Sequence, residues 1–259
     1  PYFRIPGLSN PHYRDIVVFN HPAQMHKPVD CRTILLKRIM GLPGDTLFIT
    51  DARVFIGKQE ISVHSAKLNY TLNTSGVSYT DSLIKQAGIT QSPAVLDAHH
   101  LLVNADSLSH NALSRFFGHQ ALQRLIKSKS TPDSSAPRFA RWGWNEDQFG
   151  PFYIPAKGDT LHFNHPHLPY YLTLIKNYED IAFEELDGEI YINELPASYY
   201  VFKYNYYFVM GDHRHDSMDS RFWGLLPETH MLGKANLCLF SIEPQSRLWR
   251  LNRIFKLLE

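Results

Sequence analysis

The 259-residue chain carries 26 basic and 25 acidic side chains, a formal net charge of +1, so it lacks the basic excess of a nucleic-acid binder. With 44% hydrophobic and 13% aromatic residues it holds enough apolar material for one large β domain or two modest ones. No apolar run reaches the ~18–20 residues of a membrane span, and no signal peptide heads the chain.

Taken in chain order, the first strands are DIVVF at 15–19, TILLKRIM at 33–40, DTLFI at 45–49 and RVFI at 53–56. Short β-branched and aromatic runs broken by Pro, Gly and Asp have the texture of an all-β domain. Two helices follow. TDSLIKQAG at 80–88 opens on a capping-type Thr80-Asp81, spaces Leu83, Ile84 and Ala87 helically, and stops at Gly88. DSLSHNALSRFFG at 106–118 repeats the idea, with Leu108, Ala112 or Leu113, and Phe116 expected on one face. The polar run at 128–138, SKSTPDSSAPR, reads as a flexible loop. The β texture returns in EIYIN at 189–193, YYFVM at 206–210 and ANLCLFSI at 235–242.

The C-terminal stretch sets Arg247, Arg250, Arg253 and Lys256 at every third position against Leu248, Leu251, Ile254, Phe255 and Leu258. That pattern suits a segment lying on a membrane interface or a short helix docked on the core. GDTLFIT at 44–50 and GDTLHFN at 158–164 echo one another, each after a proline. The fold expected is mainly β: a core built from both ends of the chain, residues 1–50 and 200–259, interrupted by a long inserted α+β domain over 51–199.

Two stretches are dense in chemistry. In LKRIMGLPGD at 36–45, Lys37 stands among Ile34, Leu35, Leu36, Ile39 and Met40. A strand lysine so flanked either snorkels to solvent or points inward, where desolvation disfavours its charged form and suits it to act as a general base. In GDHRHDSMDSRFWG at 211–224, the hydroxyl of Ser217, the carboxylates of Asp212, Asp216 and Asp219, and the guanidinium of Arg221 are the parts that would orient such an amine. Asp219 and Arg221 also suit an ion pair bracing a turn. His162, His165 and His167, and His213 with His215, follow no established ligand spacing, so no metal is expected. Cys31 and Cys238 allow one disulfide or two buried thiols, and the sequence does not choose.

Together these boxes resemble those of the type I signal peptidases, bacterial membrane serine proteases with a Ser/Lys dyad, whose patterns are close to K-R-x-x-G-L-P-G-D and G-D-N-R-D-N-S-x-D-S-R-Y-W-G. Lys37-Arg38 and Gly41 to Asp45 fill the first box. Gly211, Asp212, Arg214, Ser217, Asp219, Ser220, Arg221, Trp223 and Gly224 fill the second. His213, His215 and Asp216 depart from the usual Asn, Asp and Asn, and Phe222 replaces Tyr. The resemblance is strongest over 15–50 and 187–240.

It implies Lys37 as general base, Ser217 orienting its amine, and Asp212, Asp219 and Arg221 supporting the site. It further implies an endopeptidase at the extracytoplasmic (periplasmic) face of a bacterial plasma membrane, removing signal peptides from translocated preproteins. The membrane lipid surface would be a partner, and no cofactor or nucleic acid is implied. The family nucleophile lies in a Ser-x-Met-type segment well upstream of the lysine. Ser9, in Gly7-Leu8-Ser9-Asn10-Pro11, lacks that setting, so the nucleophile is expected upstream of these residues along with a membrane anchor. Ile16, Val17 and the surroundings of Leu36 are expected to line two shallow pockets for small residues. Two other readings stay open: a non-catalytic extracytoplasmic scaffold of the same fold, and a Ser/Lys self-cleaving repressor-type protease.

Overall fold

The computed structural model describes residues 9–77, 80–129, 131, 139, 141–242 and 248–258. The fold is mainly β, and the chain divides into two compact units: Pro1–Leu47, Pro151–Val209 and Trp223–Glu259 in the first, Phe48–Gly150 and Met210–Phe222 in the second. Residues 151–199, expected with the insertion, group with the first unit. The reason is a helix that the sequence reading did not anticipate, Leu168–Tyr178, which buries Tyr170, Tyr171, Leu174, Ile175 and Tyr178 along one stripe. Phe152 packs edge-on to Tyr170 and stacks on Tyr171 in that same unit.

The first unit is built on a five-stranded sheet ordered Leu226–Pro227, Tyr206–Met210, β2 (Ile34–Gly41), β1 (Ile16–Asn20), Met231–Lys234. β1 and β2 are antiparallel, with Val17 opposite Lys37 and Phe19 opposite Leu35. Period-2 alternation sends Val17, Phe19 and Ile39 into a cluster with Tyr207, Val209, Trp223 and Leu226. Ile34 and Leu36 stand on the other face of β2 and are 62% and 55% exposed.

After β2 comes a tight turn, Leu42-Pro43-Gly44-Asp45. Gly44 adopts φ +90, and the Asp45 carboxylate accepts the Leu42 N–H at 2.7 Å and the Tyr13 hydroxyl at 2.7 Å. The echo at Ala156-Lys157-Gly158-Asp159 repeats this turn. Gly158 adopts φ +92, and the Asp159 carboxylate accepts the Ala156 N–H at 2.7 Å and the Tyr153 hydroxyl. Each turn is then docked alike: Gly44 N–H and Asp45 C=O pair with Ile154, as Gly158 N–H and Asp159 C=O pair with Phe202. A carboxylate bound to its own turn and positive φ at glycine account for both.

In the second unit, strands Ala94–Val95, His100–Ala105, Leu68–Asn73 and Leu122–Arg124 form an antiparallel sheet. Tyr70, Leu72, Leu101, Val103 and Ala105 alternate into one core with Ile84, Ala87, Ile89 and Leu113. Both expected helices form, at Asp81–Gln86 and Ser107–Phe117, capped by Thr80 and Asp106. The second presents a different face from the one expected. Ser109, Leu113 and Ser114 are buried while Leu108 and Phe116 are exposed. Close approach decides this, since a Cβ at Gly88 would lie 2.8 Å from Ser109 Oγ, a gap that favours a small side chain on the inner face.

At the C-terminus the amphipathic pattern does not become a regular helix among the described residues. A 3₁₀ turn at Leu251–Arg253 leads to Lys256–Leu257, which pairs with Leu237–Cys238, and Phe255 adopts φ 51 between them. Strand pairing satisfies backbone groups that a helix would otherwise have bonded internally. Of the loop expected at 128–138, residues 130 and 132–138 lie outside the described ones. Cys31 and Cys238 are both free thiols.

Gly41 fits only because it lacks a side chain: a Cβ there would lie 2.3 Å from Ile154 Cδ1 and 3.2 Å from Phe208 Cβ. Overpacking of this kind costs about 1–3 kcal/mol. Gly41→Ala should therefore lower the urea midpoint by that amount at unchanged m-value, and an unshifted midpoint would show that the core yields freely at Ile154.

Candidate active site

In the first unit, Lys37 sits mid-strand on β2, half-buried, on the same face as Leu35 and Ile39 and directly opposite Val17. The strand period therefore turns it toward the apolar cluster, while Ile34 and Leu36 face away. Of the residues expected to line substrate pockets, Val17 is buried with Lys37 opposite it, whereas Ile16 and Leu36 share the other face. Val17 is thus core, because one residue of offset along a strand reverses the face.

A cationic neighbourhood adjoins Lys37. Burial first, then the Arg32 and Lys37 charges, hold the His21 imidazole below its ordinary pKa. Arg32 is itself buried, bonding the carbonyls of Lys27 and Pro22 and lying 2.7 Å from His230 Nε2. Since a guanidinium only donates, His230 accepts at Nε2, and its Nδ1–H points to Thr229 Oγ1 at 3.1 Å. Ser9 is exposed in this unit.

In the second unit, Asp219 and Arg221 are 0% and 1% exposed. Arg221 donates through Nε and Nη2 to the two oxygens of Asp219 at 2.9 and 2.8 Å, a fork-on-fork pair. Gly211 N–H adds a third bond to that carboxylate at 3.0 Å. The guanidinium also reaches the carbonyls of Arg214 and Glu146. Burial alone would raise the Asp219 pKa, but the Arg221 charge and these hydrogen bonds outweigh it and hold the carboxyl below its usual range. The same pairing keeps Arg221 firmly protonated, its pKa raised despite burial. Asp212 accepts the Ser65 hydroxyl at 3.1 Å, and its carbonyl accepts Lys67 N–H at 2.7 Å. Ser217 is half-buried two residues before Asp219.

Glu146, Asp147 and His215 had not been singled out as a group, yet their ligand-type atoms all lie within 4.8 Å of one another. The hydrogen bonds explain this trio without an ion. Asn69 N–H points at His215 Nδ1 at 3.2 Å, so the ring proton sits on Nε2 and donates to Asp147 Oδ1 at 3.0 Å. A metal at Nε2 would have to displace that proton to Nδ1, against the Asn69 N–H. Lys127 Nζ, 2.9 Å from Glu146 Oε1, already compensates the second carboxylate. The substitution of His for the usual Asp at 215 was the only signal in the sequence.

The family model described as "Signal peptidase, peptidase S26" matches residues 4–130 and 154–240, most of the chain and both boxes. The chain belongs to that family. It is 25% identical over 242 residues to signal peptidase I of Buchnera aphidicola subsp. Schizaphis graminum, covering 93% of this chain and 58% of that protein. Signal peptidase I of Haemophilus influenzae is 32% identical over 96 residues, 37% of this chain and 24% of that one. Among solved structures, a signal peptidase I from Enterococcus faecalis aligns over 88% of this chain and 99% of its own at 13% identity and a TM-score of 0.32. The chain spans 55–60% of the length of the three Buchnera relatives it matches along most of its own length.

Leaving either member of a buried charge pair alone costs about 3–5 kcal/mol. Asp219→Ala should lose that much stability, against a change within about 0.5 kcal/mol for the exposed Asp216→Ala. Because the folded pKa of Asp219 lies below its unfolded value, its contribution is full above about pH 4 and is lost as the pH falls through the folded value. Equal melting of the two variants at pH 7 would remove the bracing role.

Proposed function

We propose that this chain is the extracytoplasmic part of an endopeptidase that removes signal peptides from translocated preproteins, with Lys37 as general base. The observation that carries the reading is the family match extending across both boxes, with the box lysine on the inward face of β2. Apolar surroundings favour the neutral amine, the form in which a lysine accepts a proton.

In the proposed reaction a serine hydroxyl, supplied from outside residues 1–259, attacks the carbonyl that follows a small residue. Lys37 takes the hydroxyl proton as the Oγ–C bond forms, then delivers it to the leaving amine as the C–N bond breaks. Water, deprotonated by the same amine, next releases the acyl group. Ser217 orients the Lys37 amine through its hydroxyl, and Asp219 with Arg221 holds the segment that carries Ser217. Asp212, tied to Ser65, supports the same box.

A membrane surface is the proposed setting. Ile34, Leu36 and Leu232 stand exposed on the first unit's sheet, and Trp249, Leu251, Phe255 and Leu257 are exposed near the C-terminus of the same unit. So many exposed large apolar side chains fit contact with lipid better than with water.

In the full-length enzyme, Lys37→Met should lower kcat on a preprotein substrate by at least about a thousandfold, since nucleophile and base act as a unit, with the melting temperature retained. Ser217→Ala should slow turnover without a comparable loss of stability. Turnover by Lys37→Met near the wild-type rate would end the dyad assignment, and processing by residues 1–259 alone that vanished in Ser9→Ala would make Ser9 the nucleophile.

A further inference from the structure

The segment that carries Ser217 is stitched to the second unit's sheet by a short parallel ladder. Lys67 N–H donates to the Asp212 carbonyl, and Arg214 N–H donates to the Lys67 carbonyl. The next rung should run from Asn69 N–H to the Arg214 carbonyl, but that oxygen is occupied by Arg221 Nη2. His215 supplies the missing acceptor. Its Nδ1 takes the Asn69 N–H at 3.2 Å, and its Nε2–H is anchored on Asp147 Oδ1 at 3.0 Å.

The anchor is firm. Asp147 is 1% exposed, and its other oxygen accepts Lys127 N–H at 2.9 Å. Asn69 is fixed from its far side as well, by Asn104 Nδ2 on its side chain and Leu125 N–H on its carbonyl. An aspartate at 215, the residue of the family pattern, would set its charge against Asp147, whereas a neutral imidazole accepts on one edge and donates on the other. His215 and Asp147 thus form a matched pair, and the imidazole works in one tautomer only.

We infer that His215 is a positioning residue for Ser217, its ring accepting at Nδ1 and donating at Nε2 so that it holds the segment on the sheet. The inference rests on the Ser/Lys reading for its kinetic consequence. In the other tautomer Nδ1 would carry the proton, Asn69 N–H would face another N–H and the rung would open.

The test uses the full-length enzyme, with kcat and KM measured on a preprotein-derived peptide. His215→Ala should lower kcat about tenfold, the equivalent of one or two lost hydrogen bonds, with KM within about twofold. His215→Gln has an amide that can both accept from Asn69 and donate to Asp147, so it should keep kcat within about threefold of wild type. Nitrogen NMR of the wild-type ring should show Nε2 protonated and Nδ1 bare at neutral pH.

Wild-type kcat in His215→Ala would overturn the proposal, as would a ring protonated at Nδ1. Should Lys37→Met prove active, the dyad reading fails by itself. The NMR tautomer, and the change in the Asn69 amide shift in His215→Ala, would still decide the His215 rung.

Discussion

The Arg221 guanidinium, buried against Asp219, organises the 211–224 box of the second unit. One planar cation with five donors reaches a carboxylate and two backbone carbonyls, at Arg214 and Glu146, while the carboxylate also takes Gly211 N–H. Residues 211, 214, 219 and 221 and the distant residue 146 are thereby fixed around a single charge. A lysine could not do this, because a point charge on a flexible stem lacks the rigid fork. Desolvation makes the arrangement all-or-none: complete pairing is tolerated, and a lone partner is not. The Asn69–His215 rung, beside the ladder through Lys67, takes its place because Arg221 occupies the Arg214 carbonyl.

The first unit depends on a smaller device used twice. A Gly-Asp turn in which the carboxylate binds the N–H three residues before it, and a tyrosine hydroxyl, closes both Leu42–Asp45 and Ala156–Asp159. Each is docked on a strand residue by the same pair of backbone bonds. The earlier turn closes the end of β2, so the glycines of the lysine box are architectural. Gly41 admits Ile154 and Gly44 supplies φ +90, and Lys37 rides on the strand they fix. Tyr153 reflects the same contact chemically, since burial and the Asp159 bond push its hydroxyl up to about 12.

Local chemistry was legible wherever a residue's neighbours in sequence are also its partners in space. The Gly-Asp turns, the caps at Thr80 and Asp106, the strands β1 and β2, and the Asp219–Arg221 pair all act within about four residues, so their patterns stand in the sequence. The Lys37 face was not legible, since apolar residues flank it on both faces of the strand, and the pairing of β2 with β1 decided it. The helix Leu168–Tyr178 escaped notice because its buried face is largely tyrosine, polar at the tip, with hydroxyls bonded to distant residues such as Pro22, Tyr153 and Leu225. The inner face of Ser107–Phe117 was misjudged for a related reason. Gly88 and Ser109 approach closely, and a hydrophobicity count cannot see that gap.

By itself, then, the sequence determined the β texture, the two boxes and the chemical parts they hold, because backbone preference and short-range bonding are properties of adjacent residues. Only the tertiary structure decided which distant groups complete them. Glu179 shows this in the first unit, a fully buried carboxylate held by Tyr200, Tyr206 and the Lys203 N–H, none of them nearer than twenty residues. Asp147 shows it in the second, separated by 68 residues from the His215 it anchors. Burial makes an unpaired polar group costly and leaves open which partner satisfies it, and that choice is made by the packing of strands far apart in the chain.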